Sequence, residues 1–235
     1  MLEDFGDETY SKALQKKLED EYFLYEKACD ALVEIQKISL KNSDFSHYNH
    51  ATLFREVMLF IDWYLPWKNH KISLQQIQDY KYNWIELFDK LSKKNQALVL
   101  RDYHADNLMV LKNNNGFEAI GLLDFQDALI GSCAYDLLSL LEDARRDVDE
   151  KNKEKLIDYF ISKANYNRED FFVDYEIISL QRNIKILGIF ARLHLRDGKN
   201  QYLNFIPRVK DFVEQRLDKT NLISSQFKNF LKVYL

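Results

Sequence analysis

Two stretches of the chain carry oxygen-bearing side chains at spacings that suit metal-assisted chemistry. The first, LVLRDYHADNLMVL, covers residues 98–111 and contains Asp102 and Asn107. The second, AIGLLDFQDALIG, covers residues 119–131 and contains Asp124. Carboxylate and amide oxygens are the ligands that a hard cation such as Mg²⁺ takes in proteins. The three side chains therefore predict a cation site, if the fold brings them together.

A predicted hairpin brings two of these side chains together. The apolar runs Leu108–Leu111 and Ile120–Leu123 have the length of strands. The dipeptide Asn115-Gly116 between them suits a two-residue type I′ turn. This turn sets a register in which Asn107 faces Asp124, with Cβ atoms about 5 Å apart.

Each of these polar residues, taken alone, is also typical of an ordinary turn at the end of a strand. Asp102 follows the apolar run Ala97–Leu100 and lies five residues before Asn107. The joint pattern is Asp-x₄-Asn, a strand, a turn, a strand and Asp-Phe. This is the order of the catalytic loop and the metal-binding Asp in protein kinases, so we favour a shared site over unrelated turns.

The chain resembles the aminoglycoside phosphotransferase and choline kinase group, within the protein-kinase-like superfamily. The residues that carry the resemblance are LRDYHADN at 100–107 and LDFQ at 123–126. The resemblance implies that Asp102 is the catalytic base and that Asn107 and Asp124 hold Mg²⁺ on the phosphates of ATP. Leu100 stands where kinases usually have His, which is a departure at a structural position.

A further resemblance is to the bacterial sugar kinases that phosphorylate the anomeric hydroxyl of N-acetylmuramate and N-acetylglucosamine in cell-wall recycling. It is carried by RDYHADNL, GLLDFQDALIG, AYDLLSLLEDARRDV, QRNIKILGIFARL and YLNFIPRV, and runs nearly end to end. It implies an ATP-dependent transfer of phosphate to a hydroxyl of an amino sugar, with ATP and Mg²⁺ as cofactors.

By the same resemblance, residues 2–7 form the hinge whose backbone meets the adenine ring, with Glu3 and Asp4 as nucleotide-binding candidates. The expected fold is α+β and mainly α, a kinase-like C-terminal lobe formed as one domain by residues 1–235, with the N-terminal lobe absent. The six glycines are scattered singly and form no Gly-rich loop.

Three explanations for the missing lobe stay open. The chain is a fragment or a mis-started product, a separate chain supplies the N-terminal lobe, or the protein is a kinase-derived binding module without turnover. The presence together of Asp102, Asn107 and Asp124 argues against the third explanation.

Apolar periodicity and capping signals predict about eight helices. Their approximate bounds are Ser11–Ile38, Ala51–Leu65 stopped by Pro66, a helix opened by the capping box Ser73 and Gln76, Ala134–Val148, Lys151–Ala164, a long helix from Asn167 with Asp170 at N3 towards Gly198, Leu203–Leu217 with Pro207 near its start, and Ser224–Leu235.

Several polar residues are candidates for binding the substrate: His104, Gln126, Asp127, Arg145, Arg182 and Lys185. Arg182 and Lys185 interrupt an apolar helix face, so each needs an internal acid or an anionic ligand as its partner. Asp136 either caps its helix or braces the catalytic loop, and both readings stay open. The neighbouring charges of residues 142–146 form, by default, a solvated helix face, although this helix is well placed to line a substrate pocket.

Composition limits the class of protein. The chain has 235 residues, of which 46% are hydrophobic and 14% aromatic, which suits a globular core. A net charge of −4 with scattered basic residues argues against nucleic acid as a partner, and no long apolar run predicts a membrane segment. Cys29 and Cys133 fit neither a disulfide framework nor a zinc site. We therefore expect a cytoplasmic protein, and the resemblance implies a small-molecule substrate.

Overall fold

Four short strands form two nested antiparallel pairs in the computed structural model, which describes residues 4–41, 43–111 and 116–235. The strands are β1 (Gln96–Val99), β2 (Leu108–Val110), β3 (Ile120–Leu122) and β4 (Leu129–Ser132). The inner pair is β2 with β3, and the outer pair is β1 with β4. The single hairpin predicted over residues 98–131 is therefore two ladders, one inside the other along the chain.

The inner ladder has a register that differs from the predicted one. Leu108 pairs with Leu122, so the next position places Asn107 opposite Leu123. The backbone N–H of Leu123 donates to the carbonyl of Asn107 at 3.0 Å. The predicted pairing of Asn107 with Asp124 was wrong by one residue.

The cause of the register error is the connection between the two strands. The prediction rested on a tight turn at Asn115-Gly116, but Gly116 begins a 3₁₀ turn that runs to Ala119. Asn115 itself lies outside the described residues. Since connection geometry sets the register of a hairpin, the longer connection shifts the pairing by one residue.

Helices make up most of the described chain. In chain order they are α1 (Tyr10–Gln15), α2 (Glu21–Gln36), α3 (His50–Leu59), a π-helix (Phe60–Tyr64), α4 (Leu65–Trp67), α5 (Leu74–Phe88), α6 (Tyr135–Leu141), α7 (Glu150–Ala164), α8 (Arg168–Asp197), a 3₁₀ helix (Asn200–Phe205), α9 (Ile206–Lys219) and α10 (Ser225–Tyr234).

The helix predicted over Ser11–Ile38 is interrupted. Lys17 has φ +54° directly after α1, and the N–H of Leu18 donates to Ala13 O at 3.0 Å. This is the geometry of a left-handed helix end. Asp20 then caps α2 by accepting from the N–H of Phe23 at 3.2 Å. The apolar periodicity runs through both helices and so gives no sign of the break between them. Local capping contacts impose that break.

Pro66 does not stop its helix as predicted. The backbone widens into the π-helix before it and continues to Trp67, with Pro66 in the first turn of α4. A proline is tolerated at this position because it has no N–H to leave unpaired. The chain leaves the helix at Asn69, whose φ is +58°.

Helix α6 ends seven residues before the predicted Val148. Its last residue is Leu141, and Glu142 leaves helical geometry with φ −116° and ψ 49°. The charged residues that follow are therefore in a turn and not on a helix face.

The residues divide into two compact units, Met1–His47 with Lys93–Phe171 and Tyr48–Ser92 with Phe172–Leu235. The first unit contains all four described strands. The second contains an aromatic core in which Trp84 contacts Tyr80 and Phe88. The single domain expected from the sequence stays a prediction.

Within the second unit, α8 and α3 approach closely at Gly188. A Cβ at this position would lie 2.4 Å from the carbonyl carbon of Leu59. The close contact requires glycine here.

Along the described segments, every helix is too short or too polar to cross a membrane.

Candidate active site

Two loops lie between the inner and the outer ladder. The first loop covers residues 100–107 and joins β1 to β2, and the second loop covers residues 123–128 and joins β3 to β4. At one end of the loops Val99 pairs with Leu129, and at the other end β2 pairs with β3. Both loops therefore start and end at the same two ladders. This topology places Asp102 and Asn107 on one loop and Asp124 on its neighbour.

Both loops contain a residue in the left-handed region. Among the described residues other than glycine, φ is positive at Lys17, Asn69, Arg101, Asp124 and Asn165. Three of these positions follow helices, where a left-handed residue is common. The other two, Arg101 with φ +74° and Asp124 with φ +58°, lie in the loops. Such strain persists only where surrounding contacts hold it, and it clusters at functional sites.

Asp136 supplies the contacts that hold the strained start of the first loop. Its Oδ2 accepts from the N–H of Leu100 at 2.7 Å, and its Oδ1 accepts from the N–H of Arg101 at 2.9 Å. Asp136 is 1% exposed, and Ser139, three residues along α6, donates to Arg101 O at 2.9 Å. Of the two readings of Asp136, the structure favours the brace, although its carboxylate also lies in the first turn of α6.

Helices α1 and α2 hold the middle of the first loop. The hydroxyl of Tyr103 donates to Ala28 O at 2.9 Å, and the N–H of Ser11 donates to Ala105 O at 3.1 Å. Burial holds the pKa of Tyr103 well above its usual value, because a phenolate there would be desolvated. Tyr103 therefore stays a neutral donor, and the loop has contacts to three helices.

The side chain of Asn107 is oriented by the loop itself. Its Nδ2 donates to Asp102 O at 3.0 Å and lies 3.4 Å from Nε2 of His104. The amide hydrogens thus face the loop, and Oδ1 faces away from these contacts. His104 is buried and lies against Asn107, whereas Asp102 is exposed. We infer that His104 supports Asn107, and its role in substrate binding stays a prediction.

The second loop is exposed along most of its length. Leu123, Asp124, Phe125, Gln126 and Asp127 are all exposed. Nε2 of Gln126 donates to Oδ1 of Asp124 at 2.5 Å, so Gln126 contacts the carboxylate of Asp124 directly. The side chain of Asp127 lies on the same exposed loop.

The donor set can be tested against a metal ion by its chemistry. In the described ranges, no group of three or more His, Cys, Asp or Glu side chains could hold a metal. Mg²⁺, however, is commonly bound by one or two protein oxygens, with phosphates and water as the other ligands. The outward Oδ1 of Asn107 and the carboxylate of Asp124 fit this incomplete kind of site.

The turn after α6 brings Arg145 to the first loop. Oδ1 of Asp143 accepts from the N–H of Arg145 at 3.0 Å and lies 3.4 Å from its Nη1. Nε of Arg145 lies 3.5 Å from Oδ2 of Asp106. Glu142 and Asp143 are buried, so the prediction of a solvated face was wrong for these two residues. The early end of α6 turns them inward.

Lys185, in the second unit, has an internal carboxylate as its partner. Its Nζ lies 3.5 Å from Oε2 of Glu56. The same oxygen accepts from Nε2 of Gln181 at 2.9 Å and from the hydroxyl of Tyr48. Arg182 is buried on the same helix. Of the two partners considered for Lys185, the internal acid is the one present.

The N-terminal segment lies along the inner ladder. The carbonyl of Glu8 accepts from the N–H of Val110 at 2.9 Å, and the ring of Phe5 covers Gly121, where a Cβ would lie 2.6 Å from that ring. Asp4 accepts from the N–H of Gly6 at 2.9 Å through Oδ1. Glu3 lies outside the described residues.

Sequence reasoning missed Tyr103 and Ser139 as supports of the loop. Ser139 lies three residues after Asp136, a spacing that puts both on one helix face and offers a usable signal. The contact from Tyr103 to Ala28 joins residues 75 positions apart and has no local signal.

Comparison with known proteins identifies the family of the chain. A model of the phosphotransferase enzyme family matches residues 3–172. The chain is similar to N-acetylmuramate/N-acetylglucosamine kinases from Caulobacter vibrioides, with 33% identity over 89% of this chain and 60% of the relative, and from Pseudomonas aeruginosa, with 33% identity over 91% and 63%. A third, from Neisseria meningitidis, is 32% identical over 92% and 66%. The chain thus spans about three fifths to two thirds of the length of these curated relatives.

Solved structures give the same fold at lower identity. An ADP-bound aminoglycoside phosphotransferase matches with a TM-score of 0.55 and 19% identity, over 88% of this chain and 69% of its own. A choline/ethanolamine kinase family protein from Mesorhizobium loti matches with a TM-score of 0.58 and 11% identity, over 97% and 69%. These likenesses confirm the mainly helical, kinase-like phosphotransferase fold predicted from the sequence. The match of the family model to residues 3–172 shows that the chain belongs to the phosphotransferase enzyme family.

Proposed function

We propose that this chain provides the catalytic lobe of an ATP-dependent phosphotransferase that acts on a hydroxyl of an amino sugar. The proposed acceptors are N-acetylmuramate and N-acetylglucosamine, and the proposed setting is cell-wall recycling in the cytoplasm. The observation that carries the proposal is the braced first loop, which holds Asp102 and Asn107 beside the loop of Asp124. The similarity to kinases named for these two sugars supports the choice of acceptor.

In the proposed mechanism, Asp102 orients the acceptor hydroxyl and takes its proton. The side chain is exposed while its backbone carbonyl accepts from His104 and Asn107, so the carboxylate is open to an acceptor on a backbone that is held in position. A positioned general base contributes about 10²–10⁴-fold to a rate.

Asn107 and Asp124 provide the oxygens that would hold Mg²⁺ on the phosphates. When bound, the ion supplies positive charge that offsets the negative charge of the transferring phosphoryl group. The protein's own contribution is to orient the amide of Asn107 through Asp102 O and His104, and to keep Asp124 close through the paired ladders.

For the nucleotide, we propose that the N-terminal segment beside β2 acts as the hinge. Asp4 and, by resemblance, Glu3 are its candidate nucleotide-binding residues. The similarity to a phosphotransferase with bound ADP supports ATP as the phosphate donor.

A binding module without turnover is the weaker alternative. It would have no need to keep left-handed backbone at both Arg101 and Asp124, which costs on the order of 1–3 kcal/mol at each position. Strain that is held beside three oxygen-bearing side chains suits catalysis better than simple binding.

The test is phosphate transfer from ATP by the protein expressed from its native gene. We expect transfer to N-acetylmuramate and N-acetylglucosamine, measured by ³¹P NMR, and little transfer to choline or an aminoglycoside. Asp102→Asn should lower turnover by at least about 10²-fold, because it removes the proton acceptor. The matched control is Asp158→Asn, an exposed carboxylate paired with Arg168 at the surface.

Two outcomes would contradict the proposal. Faster phosphorylation of choline than of either amino sugar would exclude the acceptor class. Near-normal turnover by Asp102→Asn would exclude Asp102 as the base.

A further inference from the structure

The turn after α6 places one guanidinium next to the loop of the candidate base. Nε of Arg145 lies 3.5 Å from Oδ2 of Asp106, and Asp106 is four residues after Asp102 in the first loop. The loop is compact, since Nδ2 of Asn107 reaches back to Asp102 O at 3.0 Å. Arg145 therefore lies beside the residues proposed for catalysis, within the same compact unit.

Asp143 is a second carboxylate next to this guanidinium. The carboxylate of Asp143 is 1% exposed and lies 3.4 Å from Nη1 of Arg145, while its Oδ1 also accepts from the N–H of Arg145. A carboxylate this deeply buried needs a cationic partner, and Arg145 supplies one. Asp143 therefore holds the backbone of Arg145 and lies beside its guanidinium.

The outer side of the guanidinium is accessible and weakly occupied. The side chain of Arg145 is 36% exposed and that of Asp106 is 46% exposed. Their separation of 3.5 Å is longer than the 2.7–2.9 Å typical of a charge-assisted hydrogen bond. Asp106 therefore faces Arg145 without a close bond, and another carboxylate can compete for the same site.

The neighbouring Arg146 differs in this respect. Its Nη2 donates to Oε2 of Glu21 at 3.1 Å, and its guanidinium lies over the ring of Tyr25 at 5.9 Å. Glu21 also accepts from the N–H of Asp149 at 3.0 Å, so this pair joins α2 to the start of α7. Arg146 is a structural connection, whereas Arg145 presents its charge outward.

We propose that Arg145 binds the carboxylate of an acidic amino sugar and that Asp106 is the internal carboxylate this ligand displaces. The inference rests on the proposed function and adds a specificity residue to it. N-acetylmuramate carries a lactyl carboxylate that N-acetylglucosamine lacks. Arg145 thus favours the acidic sugar. Asp106 limits that preference because its carboxylate competes with the lactyl carboxylate for Arg145.

A purely structural role for the same pair makes a different prediction. If Arg145 and Asp106 only brace the first loop, removal of either partner disturbs Asp102 and Asn107 alike. Transfer to both sugars then falls by the same factor. A role in carboxylate binding instead gives opposite effects for the two variants.

The experiment measures kcat/KM of the protein expressed from its native gene, for both sugars mixed in one reaction. The readout is the ratio of the N-acetylmuramate value to the N-acetylglucosamine value, which cancels effects common to both. Arg145→Gln should lower this ratio by at least about tenfold, the loss expected for one charge-assisted hydrogen bond. Asp106→Asn should raise the ratio by about threefold, because it removes the competing charge.

Arg168→Gln is the matched control, since Arg168 also forms an exposed pair with an aspartate, Asp158, at 2.8 Å. Its ratio should equal that of the wild type. Arg145→Gln leaves the buried Asp143 without its cation and can unfold the protein. Asp106→Asn changes an exposed side chain and tests the proposal independently.

Equal losses for both sugars in Arg145→Gln, or an unchanged or lowered ratio in Asp106→Asn, would overturn the inference while leaving the proposed function intact. Absence of transfer to either sugar by the wild type is a separate result, which rejects the proposed function itself.

Discussion

The two loops of the candidate site begin and end at the same strand ladders but are held in different ways. The first loop is fixed by buried contacts from three helices, through Asp136, Ala28 and Ser11. The second loop is exposed from Leu123 to Asp127. A proton acceptor works only in a fixed position relative to its substrate, whereas a metal ligand is positioned in part by the ion and the phosphates. Under the proposed roles, the protein alone holds the first loop in place, and the ion and the phosphates would complete the second.

The largest expected effect comes from removing the brace of the first loop. Asp136→Ala leaves the buried N–H groups of Leu100 and Arg101 without their acceptor. We expect the free energy of unfolding to fall by about 3–5 kcal/mol, since each unsatisfied buried group costs about 1–3 kcal/mol. Urea denaturation measures the loss, and hydrogen exchange should show deprotection at these two amides.

Unchanged hydrogen exchange at the amides of residues 100–101 in Asp136→Ala would contradict this difference between the loops, because the first loop would then be rigid without Asp136. Asp158→Ala, which removes an exposed carboxylate, is the control and should change stability by less than about 0.5 kcal/mol.

An intermediate effect is expected at Tyr103. Tyr103→Phe removes the bond to Ala28 O and should lower the free energy of unfolding by about 1 kcal/mol near neutral pH. Because burial raises the pKa of Tyr103 in the folded state, its stabilising contribution is complete below about pH 10, the unfolded value, and is lost at higher pH. The difference in the free energy of unfolding between wild type and variant should therefore narrow as the pH rises above about 10.

Urea titrations across this pH range measure the Tyr103 effect. Tyr202→Phe, at a partly exposed tyrosine, is the control for the loss of a hydroxyl. A constant difference in the free energy of unfolding between wild type and Tyr103→Phe at all pH values would show that folding does not raise the pKa of Tyr103.

The smallest effect is expected in the second loop, and it has the opposite sign. Asp124→Gly relieves the strain of φ +58° at an exposed position, so the free energy of unfolding should rise by about 0.5–1 kcal/mol. The same variant should lose phosphate transfer, because it removes a proposed metal ligand. Thermal unfolding and the transfer assay on one preparation test both parts, and a less stable variant would mean that the second loop is braced after all.

Local signals in the sequence predicted much of the helical framework. The capping box of Ser73 and Gln76 is present in the structure, and Asn167 accepts from the N–H of Asp170 at 2.9 Å as expected. Helix α8 ends at Asp197, before Gly198 with φ +66°. These features depend on residues within one turn of each other, so a short window of sequence is enough to predict them.

Features that depend on more distant parts of the chain were predicted less well. The register of β2 and β3 was wrong by one residue, and α6 ended seven residues early. Strand register depends on the geometry of the whole connection, and a helix end depends on which side chains the rest of the unit can bury. Apolar periodicity alone contains neither piece of information.

For the candidate site, the sequence alone predicted which side chains would carry the proposed chemistry, through the spacing of Asp102, Asn107 and Asp124. Only the tertiary structure decided how they are held. Asp136 reaches Leu100 across 36 positions, and Tyr103 reaches Ala28 across 75. It also decided that Arg145 lies at the first loop while Lys185 is paired with Glu56. The reason is physical: residue type and spacing specify possible chemistry, but the partner of a buried polar group is fixed only when the whole unit packs around it.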